Sequence, residues 1–284
     1  MGDGLSGGMR AALAGGDVDA LVEVGCDLAD EGRQADALTC FQRAVALGAD
    51  WVWFNVGNTL RELGHAAEAA EAYRRAADAG ETDAWFSLGH LLESHGDLEG
   101  AAGAFRSAGV VGEPGGFVEL AQLLRDRGDD TAADAALALA LAGDHPPALA
   151  LRASWDWERT ADPALEERLR AGARVSGAAR ADLAALLLLT ERREEAQRQL
   201  ELGAKLGQRE CWLPLGNLLA ESDVDAAEEA YGAGIAAGDV YCHHNLAVLL
   251  LERGDTDRAR SHLAAGAATG DDMARRALRE LGRD

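Results

Sequence analysis

The amino-acid sequence predicts an all-α protein, an α-solenoid of about eight antiparallel helix pairs closed by one further helix. Three observations predict this class. Small residues recur at steps of 31 or 32, large apolar residues recur at helical spacing inside each step, and glycines punctuate the steps at constant places. A unit too small to bury its own apolar face must stack on its neighbours.

The period is carried by Gly25, Gly57 and Gly89, and by the turn glycines Gly32, Gly64, Gly96 and Gly128, all 32 residues apart. Ala37, Ala69, Ala101 and Ala133 keep the same step, and the series continues through Ala164, Ala196, Ala227 and Ala259. Seven residues after each stands another small one: Ala44, Ala76, Ala108, Ala140, Ala171, Gly203, Gly234 and Gly266. Both series are expected where helices approach closely, because a larger side chain there forces the backbones apart.

The first helix of each unit shows apolar residues at i, i+3 and i+7: Leu21, Val24, Leu28; Trp53, Val56, Leu60; Trp85, Leu88, Leu92; Phe117, Leu120, Leu124. That is the spacing of one helix face, not strand alternation. After a short turn comes a second helix, from about residue 35 to 47 in one unit and 67 to 79 in the next. It ends at Gly48, Gly80, Gly112, Gly207, Gly238 and Gly270, where a left-handed cap favours glycine. Residues 1–16 are expected to be a partly flexible segment or a short cap helix, 17–270 the repeats, and 271–284 the capping helix. The weakest stretch is 145–207. Two prolines precede its first helix, the turn glycine is missing, and Arg168 stands where an aromatic is expected. Drift compensated by the packing of Trp155, and a hinge that changes the pitch, are both open readings of it.

Composition narrows the function. Apolar residues make up 48% of the chain but aromatics only 5%, so Ala, Leu and Gly supply most of the apolar mass, as suits closely packed helices. The 27 basic and 49 acidic residues give a formal charge of −22, and Lys205 is the only lysine, a bias that suggests a GC-rich bacterial genome. So acidic a chain repels phosphate backbones and anionic lipid; neither nucleic acid nor a membrane surface is the expected partner. No apolar run reaches the roughly 18 residues of a membrane helix, and no leader is evident, so a cytoplasmic location is expected.

Catalytic signatures are missing from the sequence: no phosphate-binding loop, dinucleotide pattern, nucleophile elbow or paired zinc histidines occur. No enzyme and no cofactor is expected. Cys242, His243 and His244 are adjacent and diverge by about 100° per residue on a helix, which argues against a metal site and for one packed histidine and one in the groove. Cys26, Cys40, Cys211 and Cys242 are expected to be free thiols, because Cys211 and Cys242 hold equivalent places in neighbouring units, too far apart for a disulfide.

Two motif pairs carry a family likeness. WFSLGHLL at 85–92 followed by AGAFRSA at 102–108, and WLPLGNLL at 212–219 followed by AEEAYGAG at 227–234, resemble the tetratricopeptide repeat and its Sel-one-like relatives. The likeness extends over about residues 17–270. It departs in its 32-residue period and in glycine where the family has a terminal proline, as in the Sel-one-like repeats. It implies a right-handed solenoid whose first helices line a concave groove, and a non-catalytic scaffold or adaptor binding a partner segment there.

On that resemblance, positions two before and one, five and eight after the first-helix aromatic face the groove. These are Trp51, Phe54, Asn58 and Arg61 in the second repeat, with Asn55 at the edge, then Phe86 and His90 in the third and Gln122 in the fourth. The seventh repeat contributes Asn217, and the eighth Tyr241 and His244. Trp53, Val56, Gly57 and Leu60 are then the buried residues of the repeat, while Phe54, Asn58 and Arg61 are not needed by it. Some relatives clamp a C-terminal carboxylate with amide and basic side chains. Here lysine is lacking and Asp83, Glu93, Glu119 and Asp126 surround the groove, so a protein or peptide segment with basic and apolar side chains is the better expectation. A regulator sensing a peptide or small effector and a self-assembling repeat protein are the alternatives, and the oligomeric state is left open.

Overall fold

The computed structural model describes residues 7–282 and divides the chain into two compact units, one ending at His145 and the other beginning at Pro146. Residues 1–6 of the expected N-terminal segment lie outside the described residues. In the first unit, helix α1 (Gly7–Gly15) precedes four pairs: α2 (Val18–Asp30) with α3 (Gln34–Ala46), α4 (Trp53–Glu62) with α5 (Ala66–Asp78), α6 (Asp83–Ser94) with α7 (Leu98–Val110), and α8 (Pro114–Asp126) with α9 (Asp130–Leu141). The second unit has four more: α10 (Pro146–Thr160) with α11 (Glu166–Gly172), α12 (Gly177–Leu189) with α13 (Arg193–Lys205), α14 (Trp212–Ala220) with α15 (Val224–Ala236), and α16 (Cys242–Glu252) with α17 (Thr256–Ala268). Helix α18 (Asp272–Leu281) ends it. All regular structure among the described residues is helical, and the helix-pair solenoid architecture is the one expected.

One packing rule holds in every pair. The first helix brings a glycine or alanine to the closest approach, and fifteen or sixteen residues later the second helix supplies a large side chain. Four pairs use glycine with an aromatic: Gly25 with Phe41, Gly57 with Tyr73, Gly89 with Phe105, and Gly216 with Tyr231. A β-carbon on Gly25 or Gly57 would lie 2.6 Å from the opposing ring, inside van der Waals contact. The other four pairs have alanine and leucine at these places: Ala121 and Leu137, Ala153 and Leu169, Ala184 and Leu200, Ala247 and Leu263, all buried. When one partner gains a methyl group the other gives up a ring, so the filled volume stays nearly constant.

A second seam joins successive repeats. A β-carbon on Gly172 would stand 2.9 Å from the β-carbon of Ala179, and one on Gly234 would stand 2.5 Å from the Cys242 sulfur. Cys211 fills the same place over Gly203. All four cysteines are free. Burial pushes the Cys211 thiol up to about 11 and the Cys242 thiol up to about 12, so both act as small apolar groups rather than nucleophiles.

The turns within most pairs are set by left-handed glycines, and after Gly96, Gly128 and Gly254 a capping aspartate follows. Gly96 and Gly128 have φ near 80°, and Asp97 and Asp129 then accept a hydrogen bond from the third backbone N–H of the next helix. Glu191 has φ 60° where other repeats place the turn glycine.

The fifth and sixth repeats correct two expectations. Leu169, not Arg168, fills the aromatic's place and is fully buried, while Arg168 is exposed and reaches Asp156 at 2.8 Å. Ala164 and Ala171 are likewise exposed, and Gly172 is the buried small residue. The register therefore runs 32 residues from Leu137 to Leu169 and shortens to 31 only afterwards, at Leu200 and Tyr231. In the sixth repeat Arg180 stands where three other first helices carry tryptophan, Trp53, Trp85 and Trp212. It is 4% exposed, and its guanidinium donates to Gln208 at 2.6 Å, to Gln199 at 3.0 Å and to the Ala173 carbonyl. Trp155 and Trp157 are both buried.

A charged network also ties α11 to α13. Arg192 and Arg170 both donate to Glu166, and Arg170 also reaches Glu195. These hydrogen bonds hold the Glu166 carboxyl down at about 2, so its contribution is present above the ordinary carboxylate range and lost as pH falls towards 2.

Trp53, expected to be buried, is half-buried, and the Arg75 guanidinium covers its ring 4.6 Å from the centroid.

The packing rule is testable by exchange. Gly25→Ala should cost about 2–3 kcal/mol and Phe41→Leu about 1–2 kcal/mol, but the double variant, which installs the Ala–Leu form, should cost clearly less than their sum. Denaturant unfolding of the four proteins measures this, and additivity would remove the rule. Relieving the left-handed strain by Glu191→Gly should stabilise the chain by about 0.5–1 kcal/mol in the same assay.

Candidate functional site

In the first unit, α4, α6 and α8 present the residues expected to meet a partner. Trp51 lies not in α4 but in the short 3-10 turn before it, and is 55% exposed. Phe54 and Phe86 occupy the same place in successive repeats and are half-buried. Phe54 leans on Tyr73, with centroids 5.9 Å apart, and Phe86 lies beside Gly115, where a β-carbon would come within 3.3 Å of its ring. Arg61 is exposed and pairs with Glu62 at 2.9 Å. His90 is exposed, with its ring edge on Phe105 and Nδ1 3.6 Å from Glu93. Gln122 is exposed.

Asn58 is used by the repeat after all. Its Oδ1 accepts a 2.8 Å hydrogen bond from the Tyr73 hydroxyl, and Asn217 in the second unit accepts the same bond from Tyr231. An asparagine follows the helix glycine where the overlying ring is tyrosine, because the phenol needs a partner as it leaves the core. Where the ring is Phe41 or Phe105, Cys26 or His90 stands there instead.

A polar ladder links one first helix to the next. The residue after the small position in one repeat faces the residue two before it in the following repeat. In the first unit, the Asn55 amide reaches the Cys26 sulfur at 3.9 Å, and Glu119 lies within electrostatic reach of His90 and Glu93. In the second unit, the Asn245 amide donates to Asn217 Oδ1 at 2.6 Å, and Ser154 lies beside Asp182. Glu119 was expected only as one of the acidic residues around the groove, and Asp182 and Asn245 were not expected there at all. Their signal was available: the place two before the small residue is polar in Glu23, Asn55, Ser87, Glu119, Asp182 and Asn245, six repeats of eight.

Burial raises the Glu119 carboxyl, with the nearby His90 charge opposing and Glu93 adding to it. Burial also pushes Asp182 up to about 6, with the nearby Ser154 hydroxyl opposing and the Glu158 charge adding to it. At the far end of the second unit, Tyr241 is 61% exposed and His244 is half-buried. His243 packs against His262, their Nδ1 atoms 3.1 Å apart, and burial lowers both imidazoles. Among the described residues no three His, Cys, Asp or Glu side chains are grouped to hold a metal ion, and no helix is long and apolar enough to cross a membrane.

The family model described as tetratricopeptide repeat matches residues 52–79, the span of α4 and α5. That match covers one helix pair of the chain, and the likeness to the tetratricopeptide repeat is shown there. Solved structures share its fold. A Sel1 repeat protein from Oxalobacter formigenes is 18% identical over 96% of this chain and 90% of its own, with a TM-score of 0.61. A tetratricopeptide repeat protein from Parabacteroides merdae is 14% identical over 93% and 96%, with a TM-score of 0.51. The Cut9–Hcn1 hetero-tetramer of the APC/C is 15% identical over 94% of this chain, with a TM-score of 0.59, and the repeat protein spans only 56% of that chain's length. No curated protein matches the chain by sequence.

The ladder makes a pH-dependent prediction. A carboxyl raised in the folded state favours folding while protonated, so the penalty of charged Asp182 is absent below about pH 4 and complete above about pH 6. Asp182→Asn should therefore stabilise the protein at pH 7 by about 1–3 kcal/mol and make little difference at pH 4. Paired unfolding curves at the two pH values test it, and a difference independent of pH counts against it.

Proposed function

We propose that this repeat protein is a non-catalytic scaffold that holds a segment of another protein against the first helices of its stacked pairs. The observation that carries the reading is the trio Trp51, Phe54 and Phe86 on the first unit. One indole is open to solvent and two phenyl rings are half-open, on a face that has His90, Gln122 and the carboxylates Glu93 and Glu119 beside them. Exposed aromatics are the anchors of protein interfaces, and the acidic setting selects a segment with basic as well as apolar side chains. Asn58 contributes through its remaining amide donor, since its oxygen is held by Tyr73. Asn55 and Arg61 border the same face, while Asn217, Tyr241 and His244 offer a like surface on the second unit.

Immobilised wild-type protein, Trp51→Ala and Phe86→Ala are compared for partners retained from extracts of the source cells. Trp51→Ala should weaken the specific partner roughly tenfold or more, as expected for an aromatic anchor, with the circular dichroism unchanged. A partner retained equally by all three proteins would place the interface elsewhere.

A further inference from the structure

In the second unit, α14, α15 and α16 line an open cavity of about 310 Å³. That is the low end for ligand pockets, enough for one long side chain rather than a helix. Ala220, Val248 and Leu249 supply an apolar wall, and the Tyr231 and His244 rings supply flat surfaces. Glu252 is exposed at the cavity, close enough to Tyr231 for its charge to act on the phenol. The neighbouring cations are already engaged: Arg253 with Asp225 at 2.8 Å and Glu228 at 3.1 Å, and Arg258 with Glu228 at 2.6 Å. The cavity thus joins an apolar wall, aromatic faces and a carboxylate to which none of these arginines is bound.

We propose that this cavity receives an arginine side chain of the partner polypeptide. Its methylenes lie on Ala220, Val248 and Leu249, its guanidinium plane lies beside Tyr231 and His244, and its N–H groups bond the Glu252 carboxylate. The geometry favours arginine over lysine, because a planar fork can stack on rings and bind a carboxylate through two hydrogen bonds. The bound backbone has partners at hand. Asn217 Oδ1 accepts from both Tyr231 and Asn245, which leaves the Asn217 amide donor and the Asn245 carbonyl for a peptide group. This inference rests on the scaffold reading but concerns the second unit alone.

The test uses the full chain, labelled for NMR, and two blocked tripeptides: leucine–arginine–leucine, and the same with neutral, near-isosteric citrulline in place of arginine. The arginine peptide should shift the side-chain amide signals of Asn217 and Asn245 saturably, and the citrulline peptide should bind roughly tenfold more weakly. Glu252→Gln, an exposed change that leaves the packing intact, should bring the arginine peptide down to the citrulline level. Equal binding of the two peptides, indifference to Glu252→Gln, or no saturable shift at the two asparagines overturns the assignment. If the arginine peptide fails while Trp51→Ala still releases the native partner, the cavity is rejected and the scaffold reading stands.

Discussion

A large side chain laid over a residue with room for no more than a methyl group is the contact on which the rest of this structure depends. It sets how closely the helices of each pair approach, and every later seam inherits that spacing. The two forms, glycine under a ring and alanine under leucine, occupy similar volume and keep one architecture through eight different pairs. The contact also builds part of the candidate site. Where the ring is tyrosine its hydroxyl emerges at the first-helix face, and Asn58 or Asn217 is held there by it. Core packing and surface chemistry meet in the same two residues.

Much of this was legible in the sequence, and the failures are specific. The period, the turn glycines and the helix pairs follow from recurrence, because local contacts repeat whenever residues do. The fifth repeat was misread because alanine is so common in this chain that Ala164 and Ala171 keep the count by accident. The register is carried by the large residue, Leu169, and by Gly172 behind it. Arg180 gave no sign of its role, since its amide partners lie 19 and 28 residues further on. The polar ladder was half visible. Its rungs join residues of adjacent repeats, such as Cys26 with Asn55 and Asn217 with Asn245, so a single helix shows only an isolated polar residue on a half-buried stripe.

The carboxylates fall into two environments. On second helices, Arg75, Arg170, Arg198 and Arg258 each hold an acidic partner, and Glu166 is correspondingly acidic. On first helices, Glu119 and Asp182 are desolvated and shifted the other way. Burial strains Glu119 and Asp182, while other first-helix carboxylates such as Glu62 and Asp156 are paired with arginine like those on second helices.

The coupling of Gly25 to Phe41 and of its counterparts bears on how such repeats change over generations. A lineage cannot pass from the glycine–aromatic form to the alanine–leucine form by altering the small residue first, because the added carbon has nowhere to go while the ring is in place. Losing the ring first leaves a void into which neighbouring side chains can relax, whereas the added carbon meets the ring face directly. Interconversion should therefore run through glycine–leucine ancestors. Across descendants of such a gene, that intermediate pairing should be found more often than alanine facing an aromatic.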